Sequence, residues 1–247
     1  MTPPTKEIKE EKNKLKQIEF EDCELNLMSY GNALLYDKRK YFQYYMSLLL
    51  IKNPVLFSFY PINDYNVKII KINIFFLSFD IIFTINTFFF NDSTFHQIYK
   101  DGGKYNLSYF MPKILYSFII SYIIMIFIKY FSSSQMNLLE LKNEENNNKL
   151  EEKADFIRRR LLIKYIIFYI LSFIYLILFW YYLSSFCAIY QNSQIYLIRN
   201  TFMSFAIYIL FPNFFILLPC SFRIYSLRGK KPINRFFFET SKFMQII

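Results

Sequence analysis

Four long apolar runs decide what this chain can fold into. They lie at residues 72–90, 111–131, 165–190 and 202–222, and charged or polar stretches separate them. Each run is close to or above the ~20 residues that cross a ~30 Å hydrocarbon core as a helix. Helices inside soluble proteins seldom stay apolar on every face. The runs therefore predict an all-α integral membrane protein with four transmembrane helices, and they disfavour a soluble helical bundle.

The distribution of basic residues predicts which side of the membrane each loop faces. Twenty-five of the 29 Lys and Arg residues lie before the first run, from the end of the second run (Lys129) up to the third, or after the fourth. Basic flanks of membrane spans stay in the cytosol. We therefore expect both termini and the middle loop to be cytosolic, and residues 91–110 and 191–201 to lie outside. The expected location is the plasma membrane or an endomembrane.

The segments around the spans predict four regions. Residues 1–35 form a charged cytosolic tail, residues 36–71 an interfacial helix region, residues 72–227 the transmembrane domain and residues 228–247 a basic cytosolic tail. The apolar stretch before the first span is interrupted by Lys52 and Pro54, which disfavours a fifth span. We predict an interfacial amphipathic helix that starts near Asp37 and stops before Pro54. A re-entrant hairpin over residues 41–60 is the alternative.

Basic clusters at the cytosolic boundary predict contacts with lipid headgroups. The middle loop places Leu150, Ala154, Ile157 and Leu161 at helical spacing, so it should be a helix that continues into the third span. Arginine and lysine side chains at this depth attract anionic lipid. The residues assigned to headgroup anchoring are Lys38, Arg39, Lys40, Arg158, Arg159 and Arg160.

Asp80 lies almost at the centre of the first run, where a charge is unfavourable. Thirteen Ile, Phe and Leu residues between 72 and 90 favour insertion by about 4 to 8 kcal/mol, and a central Asp opposes it by about 2.5 to 3.5 kcal/mol. Insertion is therefore allowed when the polar groups face protein or water. The predicted intramembrane polar stripe of this span is Asn73, Asp80, Thr84 and Thr87.

Hydroxyl groups at helical spacing on the other spans are candidate partners for this stripe. Two interpretations stay open. Asp80 is either the charge of a polar path or ligand site, or a protonated or hydrogen-bonded residue that fixes helix packing. The candidate partners are Lys113, Ser117 and Ser121 on the second span, Tyr165, Tyr169, Ser172 and Tyr175 on the third, and Ser204 and Tyr208 on the fourth.

The loop after the first span carries the two glycosylation acceptor motifs of the chain, at Asn91 and Asn106. A turn is predicted at Asp101-Gly102-Gly103. The single histidine, His96, makes no metal cluster with its neighbours, and three cysteines make no disulfide framework. No catalytic motif occurs either, so we expect no catalytic residue, metal or cofactor.

Several strings resemble an uncharacterised family of ciliate multi-pass membrane proteins, over roughly residues 36–227. They are DKRKYFQYY (37–45), FFNDSTFHQIYKDGGKYN (89–106), MPKILYSFIIS (111–121) and FWYYLSSFCAIYQNSQIYLIRNT (179–201). The resemblance implies a multi-pass membrane protein. It implies no activity, catalytic residue or cofactor.

Two functional classes follow from the sequence. The first is a non-enzymatic structural or assembly component, with membrane lipid, other membrane proteins or further copies of itself as partners. The second is a subunit of a cation channel or transporter that uses Asp80 in a polar intramembrane path. The formal net charge of +10 fits attraction to anionic lipid, and no nucleic-acid-binding motif accompanies it.

Overall fold

The computed structural model describes residues 20–142, 147–229 and 233–246, so most of the predicted N-terminal tail lies outside the described residues. Within these ranges the chain forms helices and no strand. Four stretches are long and apolar enough to cross a membrane: Lys68–Phe88, Leu107–Lys142, Leu150–Ile189 and Gln194–Arg228. The chain is an all-α multi-pass membrane protein, and the four predicted spans are confirmed.

The helices follow the chain in an order that we number α1 to α12 over the described residues. They are α1 Asp22–Leu27, α2 Tyr30–Tyr36, α3 Tyr41–Lys52, α4 Pro54–Phe59, α5 Lys68–Phe88, α6 Asp92–Lys100, α7 Leu107–Ser132, α8 Gln135–Lys142, α9 Asn147–Ile189, α10 Gln194–Phe215, α11 Leu217–Arg228 and α12 Ile233–Ile246.

Asparagine side chains begin several of these helices. The Asn53 side chain accepts hydrogen bonds from the backbone N–H groups of Val55 and Leu56, and Pro54 occupies the first turn of α4. Asn91 caps α6 and Asn106 caps α7 in the same way. Such caps satisfy backbone donors that the first helical turn leaves unpaired.

The helix before the first span begins and ends close to the predicted positions. It starts at Tyr41, four residues after Asp37, and ends at Lys52, before Pro54. Proline restricts the residue before it to extended conformations, which explains this end. Whether this helix is interfacial or re-entrant stays a prediction.

A buried ion pair fixes the loop between α4 and α5. Lys71 Nζ lies 3.1 Å from Asp64 Oδ1, and both side chains are buried. Asn66 binds the other Asp64 oxygen and accepts a hydrogen bond from the backbone N–H of Ser134. This network ties the start of α5 to the segment that follows α7.

The middle of the chain, Leu48–Leu218, forms one compact unit, which we call the bundle unit. In it α5, α7, α9 and α10 pack against one another. The predicted helix of the middle loop is present, because α9 runs without a break from Asn147 to Ile189. The predicted turn after α6 is confirmed too: Gly102 and Gly103 have φ angles of +61° and +75°, a region that glycine adopts readily.

The two ends of the described chain form a second compact unit, which we call the terminal unit. It contains residues 20–47 and Pro219–Ile246. The sequence predicts two separate tails at these ends. In the structure α12 packs against α2, with the rings of Tyr30 and Phe238 5.2 Å apart, and Phe238 is completely buried.

Candidate functional site

A line of polar side chains runs through the interior of the bundle unit. We call it the polar seam, and it lies between α5, α7 and α10. Its members are small or hydroxyl-bearing, and each is at most 1 % exposed. They are Ser78, Asn86, Ser117, Ser121, Ser204 and Tyr208. Small residues at such positions let helix backbones approach closely in a membrane.

Hydrogen bonds join the three helices at one end of the polar seam. Asn86 Nδ2 donates to the backbone oxygen of Ile82 at 2.9 Å and to Ser204 Oγ at 3.2 Å. Ser204 Oγ donates to the backbone oxygen of Ile114 at 3.3 Å. Ser117 Oγ lies 3.4 Å from the same Ile82 oxygen. The α5, α7 and α10 backbones are therefore linked through three side chains.

Two atoms of the polar seam keep unused hydrogen-bonding capacity. Asn86 Oδ1 and Ser121 Oγ are buried and have no hydrogen-bond partner among the described residues. An unsatisfied buried polar atom costs about 1 to 3 kcal/mol. The seam is therefore closed to solvent and only partly satisfied by the protein.

Asp80 lies on another side of α5. At 3.6 residues per turn it points about 160° away from the direction shared by Ser78, Ile82 and Asn86. Its side chain is partly exposed, and no described residue gives it a hydrogen bond or ion pair. The hydroxyls of the seam and the carboxylate of Asp80 therefore do not share one interior site.

The other residues of the predicted stripe interact locally. Thr84 Oγ1 donates to the backbone oxygen of Asp80 at 2.8 Å, and Thr87 Oγ1 donates to that of Thr84 at 2.6 Å. Both threonines are buried, while Asn73 is partly exposed. The two threonines thus bond within α5, and no described hydrogen bond joins the stripe to a neighbouring span.

A second buried polar cluster lies in the terminal unit, and we call it the arginine cluster. Arg223 is completely buried, and its Nε and Nη2 donate to Asp37 Oδ2 at 3.1 and 2.9 Å. Arg39 Nε donates to the other Asp37 oxygen at 2.8 Å. One carboxylate therefore holds two guanidinium groups, an arrangement suited to the fork geometry of arginine.

Arg223 makes further contacts besides those to Asp37. Nη1 and Nη2 donate to the backbone oxygens of Asn26 and Leu25. The guanidinium carbon lies 5.1 Å from the Tyr44 ring centre and 4.7 Å from that of Phe238. Cation–π contacts of this kind strengthen when they are desolvated.

The two arginines decide the ionisation of Asp37. Burial alone raises the pKa of this carboxyl group, but the hydrogen bonds and charges of Arg39 and Arg223 outweigh burial and leave the pKa below its ordinary value. Asp37 is therefore a permanent anion near neutral pH and has no capacity to act as a general acid there.

The predicted headgroup anchors occupy different surroundings. Lys38 and Lys40 are exposed, as are the three consecutive arginines at 158–160 on α9. Arg39 instead directs its guanidinium to Asp37 and, at 3.1 Å, to Asp22. The role of these side chains in binding headgroups stays a prediction.

The predicted glycosylation sites and the reactive residue types lie outside both clusters. Asn91 and Asn106 are exposed, with Oδ1 engaged as a helix cap. His96 is exposed, and the described residues contain no group of three His, Cys, Asp or Glu side chains that could hold a metal. Burial raises the pKa of Cys23 to about 11, which disfavours the nucleophilic thiolate.

Sequence reasoning missed two seam residues and the arginine cluster. Ser78, Ile82 and Asn86 follow one another at spacings of four, which could have revealed the seam face of α5. Ser117, Ser121, Ser204 and Tyr208 were singled out by helical spacing, and they do lie in the interior. No local pattern connects Asp37 with Arg223, because 186 residues separate them.

Comparison with known proteins adds no relative. No protein-family model matches this chain, no curated protein matches it, and no solved structure matches it. The resemblance to ciliate membrane proteins therefore stays a prediction.

Proposed function

We propose that this chain is a non-enzymatic membrane protein that acts as a structural or assembly component, binding lipid and partner proteins. The observation that carries the proposal is the exposure of α9. In the most apolar window of this helix only 11 % of the residues are buried, compared with 56 % in α5. The longest span of the chain therefore offers most of its surface to its surroundings.

The exposed surface of α9 is large and rich in aromatic rings. Lipid satisfies such a surface, and so does another apolar helix, because helix association in membranes depends on packing and small polar contacts. The exposed large side chains along the span include Leu162, Ile166, Ile170, Phe173, Ile177, Trp180 and Tyr181.

The closed interior also supports an assembly role. All six members of the polar seam are at most 1 % exposed, and three of their hydrogen bonds join one helix to another. A channel built from one copy needs a solvated interior path. The seam instead consists of buried side chains that hold three helices together.

A cation channel or transporter subunit is the second candidate, and one observation favours it. Asp80 is partly exposed on the face of α5 away from the seam, four residues after the exposed Phe76, and its carboxylate has no partner among the described residues. A carboxylate at such a place is available to a cation at an interface between copies. This function therefore requires an oligomer.

Affinity purification in mild detergent, followed by identification of co-purifying proteins, tests the leading proposal. We expect a reproducible protein partner and no ion flux above that of empty vesicles after reconstitution. A purified chain without partners that conducts cations, and loses the flux on Asp80→Asn, would establish the second function instead. Asp92→Asn is the matched control, because Asp92 is an exposed residue of α6 outside the spans.

A further inference from the structure

A cleft in the terminal unit is not used by the arginine cluster. It has a volume of about 490 Å³ and lies where α11 meets the start of α12, with one further residue from α3. Its walls are mostly apolar or aromatic, with polar groups at a few positions. The lining residues are Tyr41, Ser221, Ile224, Tyr225, Arg228, Gly229 and Asn234.

Asn234 lines this cleft and has an unused donor. Its side chain is 1 % exposed, and Nδ2 has no hydrogen-bond partner among the described residues. Gly229 leaves the space that the amide occupies, because a Cβ atom at that position would overlap Asn234 Nδ2. A buried amide donor without a partner is costly, so a ligand oxygen at this point is stabilised.

The charge of the cleft favours an anion. Arg228 lies at its edge with an exposed side chain, and no carboxylate is among the lining residues. A guanidinium group binds phosphate oxygens through two parallel N–H groups. Arg228 and Asn234 together can thus donate to the oxygens of one phosphate group.

We propose that this cleft binds the phosphate headgroup of an anionic phospholipid. The walls formed by Ile224 and Tyr225 suit the glycerol and upper acyl carbons, which a free phosphate ion lacks. An ion of that size also leaves most of the cleft unfilled. The inference rests on the proposed function, because the terminal unit must meet the lipid of the cytosolic leaflet.

The test measures lipid binding by the purified full chain in mild detergent. Native mass spectrometry follows the titration with a short-chain phosphatidylinositol phosphate. Short-chain phosphatidylcholine and inorganic phosphate are titrated in parallel. We expect the anionic lipid to bind at least about tenfold more tightly than either comparison ligand, which corresponds to one good charged contact.

Three variants locate the site. Arg228→Gln should weaken binding of the anionic lipid about tenfold, because it removes a charged contact. Gly229→Ala should weaken it about threefold or more without changing any charge, because it displaces the Asn234 amide. Arg235→Gln is the matched control, since Arg235 is an exposed residue of α12 outside the cleft, and it should stay within about twofold.

Several results would overturn the inference. Equal loss in Arg228→Gln and Arg235→Gln would indicate diffuse attraction by surface charge. Equal binding of phosphatidylcholine would show that the net negative charge of the headgroup is not recognised, and inorganic phosphate binding as tightly as the lipid would identify a free ion as the ligand. Unchanged thermal unfolding of each variant shows that it is folded. Failure here leaves the proposed function standing, because co-purified partners and ion flux are measured separately.

Discussion

The polar seam of the bundle unit and the arginine cluster of the terminal unit are both buried, but they contain different kinds of polar side chain. The polar seam contains neutral groups that bond to backbone oxygens and to one another at 2.9 to 3.4 Å. The arginine cluster contains two cations and one anion, with one cation completely buried. The difference reflects the medium, hydrocarbon or water, that each set of side chains would contact if its partners were removed.

In a hydrocarbon environment a charged group is far more costly than a hydroxyl, so helices there are joined by neutral side chains. The buried charges at the chain ends are tolerable because every one has a partner. The polar seam therefore depends on close packing and the arginine cluster on charge pairing. Four changes test this contrast.

Asp37→Asn should have the largest effect. It leaves the buried guanidinium of Arg223 without a carboxylate, which destabilises a protein by about 3 to 5 kcal/mol. Chemical unfolding in detergent, followed by a probe in the terminal unit, measures this loss. Asp22→Asn is the control: Asp22 also pairs with Arg39, but its side chain is 59 % exposed, so less than about 1 kcal/mol should be lost. Equal losses in both variants would contradict the charge-pairing argument.

Ser204→Leu should have the next largest effect. The larger side chain has no room in a seam whose members are completely buried, and overpacking of this kind costs about 1 to 3 kcal/mol. Thermal unfolding in detergent reports the change. Ser184→Leu is the matched control, because Ser184 is exposed on α9 and should change stability by less than about 0.5 kcal/mol. Similar values for the two variants would mean that the seam is loosely packed.

Acid should produce a smaller effect on the terminal unit. The pKa of Asp37 is lowered in the folded chain, so its contribution is fully present above the unfolded value of about 4 and is lost as the pH falls through the folded value. The gap in unfolding temperature between the wild-type protein and Asp37→Asn should therefore narrow between about pH 5 and pH 2. A gap that stays constant would show that the carboxylate charge is not what the arginines need.

Asp80→Asn should have the smallest effect on stability. The carboxylate has no described partner to lose, and removing a charge from a span favours insertion. We expect a change below about 1 kcal/mol, with unchanged size in gel filtration. A loss as large as that of Ser204→Leu would place Asp80 in a packing contact between copies.

The sequence predicted the spans well because their signal is local and cumulative. Runs of Ile, Phe and Leu long enough for a bilayer need no knowledge of neighbours, and all four appear as helices. The end of α3 before Pro54 was equally predictable from backbone geometry. These features depend on residues that are adjacent in the chain.

The buried polar sites were harder to predict because they depend on contacts between distant segments. Asp80 stands out in the sequence because it is a charge at the centre of a span. The face of α5 that lines the seam instead presents Ser78, the backbone carbonyl of Ile82 and Asn86. Arg39 belonged to a basic triplet typical of lipid contact, yet Asp37 competes for it at 2.8 Å. A charge pattern in the sequence shows where charged side chains are frequent, but it does not show which of them form ion pairs.

The composition of the terminal unit has a consequence for how the protein is made. Its first helices leave the ribosome before any span, whereas Arg223 lies near the end of the fourth apolar stretch and Phe238 follows that stretch. Asp37 and Tyr44 therefore lack Arg223 until the fourth apolar stretch has been synthesised. The closing of the terminal unit is thus a late step in biogenesis.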